Sequence, residues 1–199
     1  CEYICNEMRK GLKKVGAPED LVQNIKEPTM EASQELMGMV DLVLATGGAG
    51  VVKVAYSSGK PAYGVGAGNA TIIVDESANL EETALKIYKG KVFDNATSCS
   101  AENNVIIHES IFDALLTGLK SHGGYLVTGE DRAKLKQAMW PDGSHLSGKI
   151  VCKSVKIIAA EAGITVPEGT TFLMVLGEHI GPEDMFSAEK LSPVVTLWK

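Results

Sequence analysis

No lysine- or arginine-rich run occurs in this 199-residue sequence, and its 19 basic residues are outnumbered by 25 acidic ones, for a net charge of -6. A surface that neutralises phosphates needs clustered cations, so neither nucleic acid nor an anionic membrane is an expected partner. No apolar stretch approaches the roughly 20 residues that span a bilayer, and no charged segment followed by an apolar one opens the chain. Cysteine is scarce. The four, at positions 1, 5, 99 and 152, form neither a CxxC pair nor a disulfide-framework spacing. Cys1 and Cys5 can share a helix face, but with no second pair and no nearby histidine no metal site is expected. Together these absences predict a soluble, cytoplasmic protein. With 45% hydrophobic residues the chain can bury the core of one large domain or two small ones.

What is present is organised around residues 92–107. An apolar-faced helix runs into Val92-Phe93-Asp94-Asn95-Ala96-Thr97-Ser98-Cys99-Ser100-Ala101-Glu102-Asn103, and the β-branched run Asn104-Val105-Ile106-Ile107 leaves it. A cysteine that only fills space usually has apolar flanks, whereas Cys99 has Ser98 and Ser100. It is a candidate nucleophile, with an inert buried cysteine as the other reading.

In chain order, Ile4, Met8, Leu12 and Val15 form one stripe of a helix that Gly16-Ala17-Pro18 stops. This pattern begins without a methionine or a capping residue, as expected of a segment of something longer. A short strand is expected at 21–25, then a helix capped by Thr29 and a doubly buried strand at 40–45. That strand enters Thr46-Gly47-Gly48-Ala49-Gly50 and a helix to about Tyr56. Free N–H groups at a helix start, reached closely past glycine, suit a phosphate; a glycine-rich tight turn is the alternative. Lys53 stands where the dinucleotide fingerprint would have its third glycine.

Strands at 62–65 and 70–74 flank the joint Gly64-Val65-Gly66-Ala67-Gly68-Asn69, whose glycines imply close approach by a ligand or another strand. A domain boundary is expected after Val74, dividing 1–74 from 75–199. Asn79 with Glu82 forms an N-capping pair for the helix leading to Cys99. Beyond it, Ser110 and Thr128 are expected caps, Cys152 a buried strand residue and 172–176 a core strand, with the four histidines solvated or packed. Alternating helices and strands give an α/β fold.

Five segments carry a resemblance: Leu44-Ala45-Thr46-Gly47-Gly48, Tyr56-Ser57-Ser58-Gly59-Lys60-Pro61, Gly64-Val65-Gly66-Ala67-Gly68-Asn69, Phe93-Asp94-Asn95 with Cys99, and Glu189-Lys190-Leu191-Ser192-Pro193-Val194. In order and spacing they resemble the CoA-acylating branch of the aldehyde dehydrogenase superfamily. The resemblance implies a three-layer αβα fold with a parallel sheet, comprising part of a cofactor-binding domain and most of a catalytic domain. It also implies oxidation of a small aldehyde with NAD or NADP and release of the acyl group to CoA, by a parent protein that is a homo-oligomer. By the same resemblance Cys99 is the nucleophile. Thr46, Gly47 and Gly48 lie against the dinucleotide, Val65 and Gly66 lie near the nicotinamide, and Glu189 holds the nicotinamide ribose. Hydrolytic relatives carry a glutamate base where this chain has Gly64, so the resemblance implies acyl-CoA rather than free acid as product, and an open glycine there is also expected to leave room for the incoming thiol. The family's oxyanion-stabilising asparagine or histidine has no counterpart in the chain. A non-catalytic α/β module, binding a nucleotide or serving assembly, is the competing reading.

Overall fold

A computed structural model describes residues 1–199 apart from Pro182. The chain forms two compact units, Cys1–Gly66 and Ala67–Lys199.

The first unit runs α1 (Glu2–Lys14), a 3-10 turn (Glu19–Leu21), α2 (Met30–Met39), β1 (Val43–Thr46), α3 (Ala49–Tyr56) and β2 (Ala62–Val65). Thr29 caps α2 as expected, its hydroxyl accepting from the Ala32 amide at 3.1 Å. β1 and β2 pair in parallel, from Val43 with Ala62 to Thr46 with Val65. The crossover is α3, which buries Ala55 against Val43 and Ala45. The expected first helix forms as α1, its apolar stripe exposed at Ile4, Met8 and Val15 while Cys5 is the residue it buries. Two other expectations fail here. No strand forms at 21–25, because the Val22 carbonyl is taken by side chains: it accepts from Arg9 Nε at 2.8 Å and from Cys5 Sγ at 3.3 Å. β1 starts at Val43 rather than Val40 and buries one face only, with Leu44 exposed.

The second unit is β3 (Thr71–Val74), α4 (Leu80–Val92), β4 (Asn104–Ile107), α5 (Phe112–Ser121), β5 (Gly124–Leu126), α6 (Gly129–Met139), α7 (Val155–Ala162), β6 (Phe172–Leu176) and β7 (Val194–Trp198). Its five strands are all parallel in the order β3-β4-β7-β6-β5. Side-chain alternation along β6 separates the two faces. Phe172 and Met174 pack with Ile87 of α4 and Leu115 and Leu119 of α5, whereas Leu173 and Val175 pack with Leu135 and Met139 of α6 and Ile158 of α7. This is the three-layer αβα arrangement. β3 pairs with β4, so the unit boundary falls at Gly66, ahead of the boundary expected after Val74.

The Asn79 cap forms, its Oδ1 accepting from the Glu82 amide at 3.1 Å. The expected Ser110 cap does not: His108 Nδ1 accepts from the Ser110 amide at the start of a 3-10 turn, and α5 follows. Cys152 is not in a strand. It sits in a turn at φ 61°, its amide donating to the Leu191 carbonyl at 2.8 Å. No helix among the described residues is long and apolar enough to cross a membrane.

Candidate active site

α4 ends at Val92, and a 3-10 turn over Phe93–Ala96 breaks its direction. Asp94, Asn95 and Ala96 hold successive φ values of 47°, 52° and 55°. Left-handed backbone costs a non-glycine residue on the order of 1 kcal/mol, and Asp and Asn bear it best. The next residues fold on themselves: Thr97 Oγ1 donates to the Asp94 carbonyl at 2.6 Å, the Ser98 and Ser100 hydroxyls meet at 2.8 Å, and the Ala101 amide donates to the Ser98 carbonyl at 3.0 Å. Cys99, at the crest, is exposed. From below, the buried Lys91 donates from Nζ to the Glu102 carbonyl at 2.6 Å. Desolvation pushes that amine down to about 8, against the pull of the Glu102 carboxylate.

Glu189 reaches the same turn. A Cβ built on Gly68 would stand 3.0 Å from the Cys99 carbonyl, 3.8 Å from Cys99 Cβ and 3.7 Å from Glu189 Oε1. The cysteine and the acid therefore flank one glycine, 90 residues apart in sequence but together in the second unit. Partial burial raises the Glu189 carboxyl above its ordinary value, and a hydrogen bond from the Gly68 amide opposes that rise. Amides fasten the surroundings. Asn69 Nδ2 donates to the Ser187 carbonyl at 2.8 Å, Asn104 Nδ2 to Asn69 Oδ1 and the Ser187 carbonyl at 2.9 Å each, and Trp198 Nε1 to Asn104 Oδ1 at 3.1 Å. Reading residue by residue missed Gly68, Asn69 and Asn104 as site-builders. The glycine-rich joint was the signal for Gly68, since close approach was expected there, whereas the asparagines carry no spacing that marks them.

The glycine turn lies in the first unit. Thr46 pairs with Val65 at the ends of β1 and β2, and the Gly47 amide donates to the Val65 carbonyl at 3.0 Å. Gly48 caps α3, and its carbonyl accepts from Val51 and Val52. The first-turn N–H groups of an α-helix have no acceptor within the helix. Here Val51 and Val52 are met by the Gly48 carbonyl, and the amides of Ala49 and Gly50 open past Gly48 and Gly50, beside which a Cβ would meet nothing within 4 Å; Gly66 is equally open. Such an N–H-rich, side-chain-free opening fits the pyrophosphate of a dinucleotide. Gly64 is different. A Cβ there would lie 2.6 Å from Val52 Cγ1 and 2.9 Å from the Tyr56 ring, and its amide donates to the Tyr56 hydroxyl. The expected open space at Gly64 does not exist; close packing of β2 against α3 accounts for the glycine.

The model of the aldehyde dehydrogenase family matches residues 3–169. The chain is 52% identical over 198 residues to a sulfoacetaldehyde dehydrogenase (acylating) of Bilophila wadsworthia, covering 98% of the chain and 43% of that protein. It superposes with a TM-score of 0.93 on a crystal structure of an acetylating aldehyde dehydrogenase from Geobacillus thermoglucosidasius, at 40% identity, covering 98% of the chain and 43% of that one. A propionaldehyde dehydrogenase from Rhodopseudomonas palustris with bound propionyl-CoA gives 0.85 at 31% identity, covering 96% of the chain and 42% of that one. The chain thus spans under half the length of these relatives.

Proposed function

The chain belongs to the aldehyde dehydrogenase family, and from that premise we propose that the protein containing it oxidises a short aldehyde to an acyl-CoA through a thioester on Cys99. The supporting observation is the placement of an exposed thiol and a partly buried carboxylate on either side of Gly68. The Cys99 thiolate adds to the aldehyde carbonyl and gives a thiohemiacetal anion, whose oxyanion re-forms the carbonyl as the carbon loses hydride, a task that suits sulfur because the resulting acyl thioester stays activated for transfer. NAD or NADP, when bound, would supply the acceptor for that hydride. Within the first unit Thr46, Gly47 and Gly48, with the first turn of α3, would hold the pyrophosphate of such a dinucleotide, and Val65 and Gly66 would face its nicotinamide; within the second, Glu189, beside the Gly68 amide, would accept from the nicotinamide ribose hydroxyls. The CoA thiolate then displaces Cys99 from the acyl carbonyl, and the cysteine leaves as thiolate. No metal takes part in this reading. Aldehydes with an anionic tail come first as substrates, because sulfoacetaldehyde is what the relative at 52% identity is named for.

The test is CoA-dependent formation of NADH or NADPH by the full-length protein, with sulfoacetaldehyde, succinate semialdehyde and acetaldehyde compared. Cys99→Ala abolishes it. Acyl-CoA formation that survived this substitution would refute the assignment of the nucleophile.

A further inference from the structure

The lysine that follows Glu189 is fully buried. Its backbone amide donates to Asn103 Oδ1 at 2.9 Å, and its Nζ lies 2.9 Å from the Asn103 carbonyl and 2.9 Å from the Ala188 carbonyl. Asn103 is four residues past Cys99, and Ala188 immediately precedes Glu189. Two of these bonds tie the segment bearing the acid to the residues just past the thiol, and the third, to Ala188, holds the amine against its own segment. Asn103 completes the seam, since its own carbonyl also accepts from the Thr196 amide of β7 at 3.0 Å.

Resting on the function proposed above, we propose that Lys190 is a positioning residue: its buried amine, clasping Asn103 and Ala188, sets Glu189 at its working distance from Cys99. The chemistry of the amine fits this task. Burial drives it well below the ordinary lysine range, and the neighbouring Lys91 adds to that against the opposing pull of Asp184. Two carbonyl oxygens are placed to accept from it, each at 2.9 Å. No carboxylate is within salt-bridge distance of Lys190 among the described residues, so the clasp is a backbone tie rather than an ion pair. Orientation errors of about 1 Å at a reacting centre cost about a hundredfold in rate.

The test compares Lys190→Met, which keeps the stem and removes the amine, with Glu189→Gln and the double variant, all in the full-length protein. Lys190→Met is expected to raise the KM for the dinucleotide and lower the single-turnover hydride-transfer rate, each about tenfold, with little change in the KM for CoA. In the Glu189→Gln background the same substitution adds less than twofold to the dinucleotide KM, because its effect passes through that carboxylate. A purely structural lysine would give full additivity, and that result overturns the proposal. Amide hydrogen exchange reads the clasp without activity: loss of the amine speeds exchange at 99–104 and 188–191 together and leaves β5 and β6 unchanged. Unchanged exchange in both segments also overturns it. If the wild-type protein oxidises no aldehyde, the functional reading falls, and exchange alone decides the clasp. Should Lys190→Met fail to fold, Asn103→Ala opens the same seam from its other side, with the same expected shifts.

Discussion

Replacing Gly68 by alanine inserts one methyl group between the cysteine turn and the acid. The new carbon would stand 3.0 Å from the Cys99 carbonyl oxygen, against an ordinary contact of at least 3.4 Å, so something must yield by a few tenths of an ångström. The backbone at Gly68 is not left-handed, and alanine adopts its conformation without strain. What yields is the turn at 97–101, whose residues 97 to 100 are exposed. Overpacking a tight core costs about 1–3 kcal/mol; an exposed turn puts this substitution at the lower end, about 1 kcal/mol. The larger effect falls on chemistry. If a displacement of about 1 Å costs about a hundredfold, a third of that costs roughly fivefold in hydride transfer. Stopped-flow formation of NADH or NADPH in a single turnover, by the full-length protein, measures it directly. Gly148→Ala is the control, because a Cβ there meets nothing within 4 Å. Wild-type turnover by Gly68→Ala, with the control unchanged, would refute the placement of thiol and acid around this glycine.

The Glu189 carboxyl, raised by burial, accepts from two hydroxyls at charge-assisted strength only when ionised, so dinucleotide affinity falls as pH drops through that raised value, sooner than an ordinary glutamate would give, and Glu189→Gln flattens the profile measured by fluorescence titration. Lys91 titrates near 8 in the folded protein against 10.5 in the unfolded chain; its contribution to stability is complete above 10.5 and is lost as pH falls through 8, an interval of 2.5 units or about 3 kcal/mol. Urea melts of the wild type at successive pH values should climb across this window, and Lys91→Met should climb less. Phe186→Ala removes a fully buried ring that meets Trp140 edge-on at 5.2 Å and lies 4.8 Å below the Arg132 guanidinium, and should cost about 3–5 kcal/mol in the same assay. Gly64→Glu collides with Val52 and Tyr56, so it should destabilise by 2 kcal/mol or more, as a calorimetric loss of Tm, and should yield no free-acid product by chromatography.

The alternation of apolar runs and capping residues made the α/β class legible, and the resemblance supplied its three layers: Thr29 and Asn79 cap where their side chains predict, and 62–65 and 172–176 are strands. Periodicity misled where a polar group had a local partner. Residues 21–25 read as a strand, but a ladder there would compete with Arg9 and Cys5 for the Val22 carbonyl. Cys152 has apolar neighbours yet lies in a left-handed turn, a conformation that hydrophobicity does not encode. At the site the serines around Cys99 announced an exposed turn. Nothing local announced Glu189, which only the resemblance singled out, or Lys190, whose burial depends on acceptors 87 residues away in the chain. Gly64 was read as empty space because a missing side chain looks like room; strand and helix had already filled it.

The separation between thiol and acid is fixed wholly within Ala67–Lys199, whereas the glycine turn belongs to Cys1–Gly66. On the proposed function, a substitution confined to the first 66 residues leaves the elements that space thiol and acid untouched, so the two halves of the reaction are open to change separately.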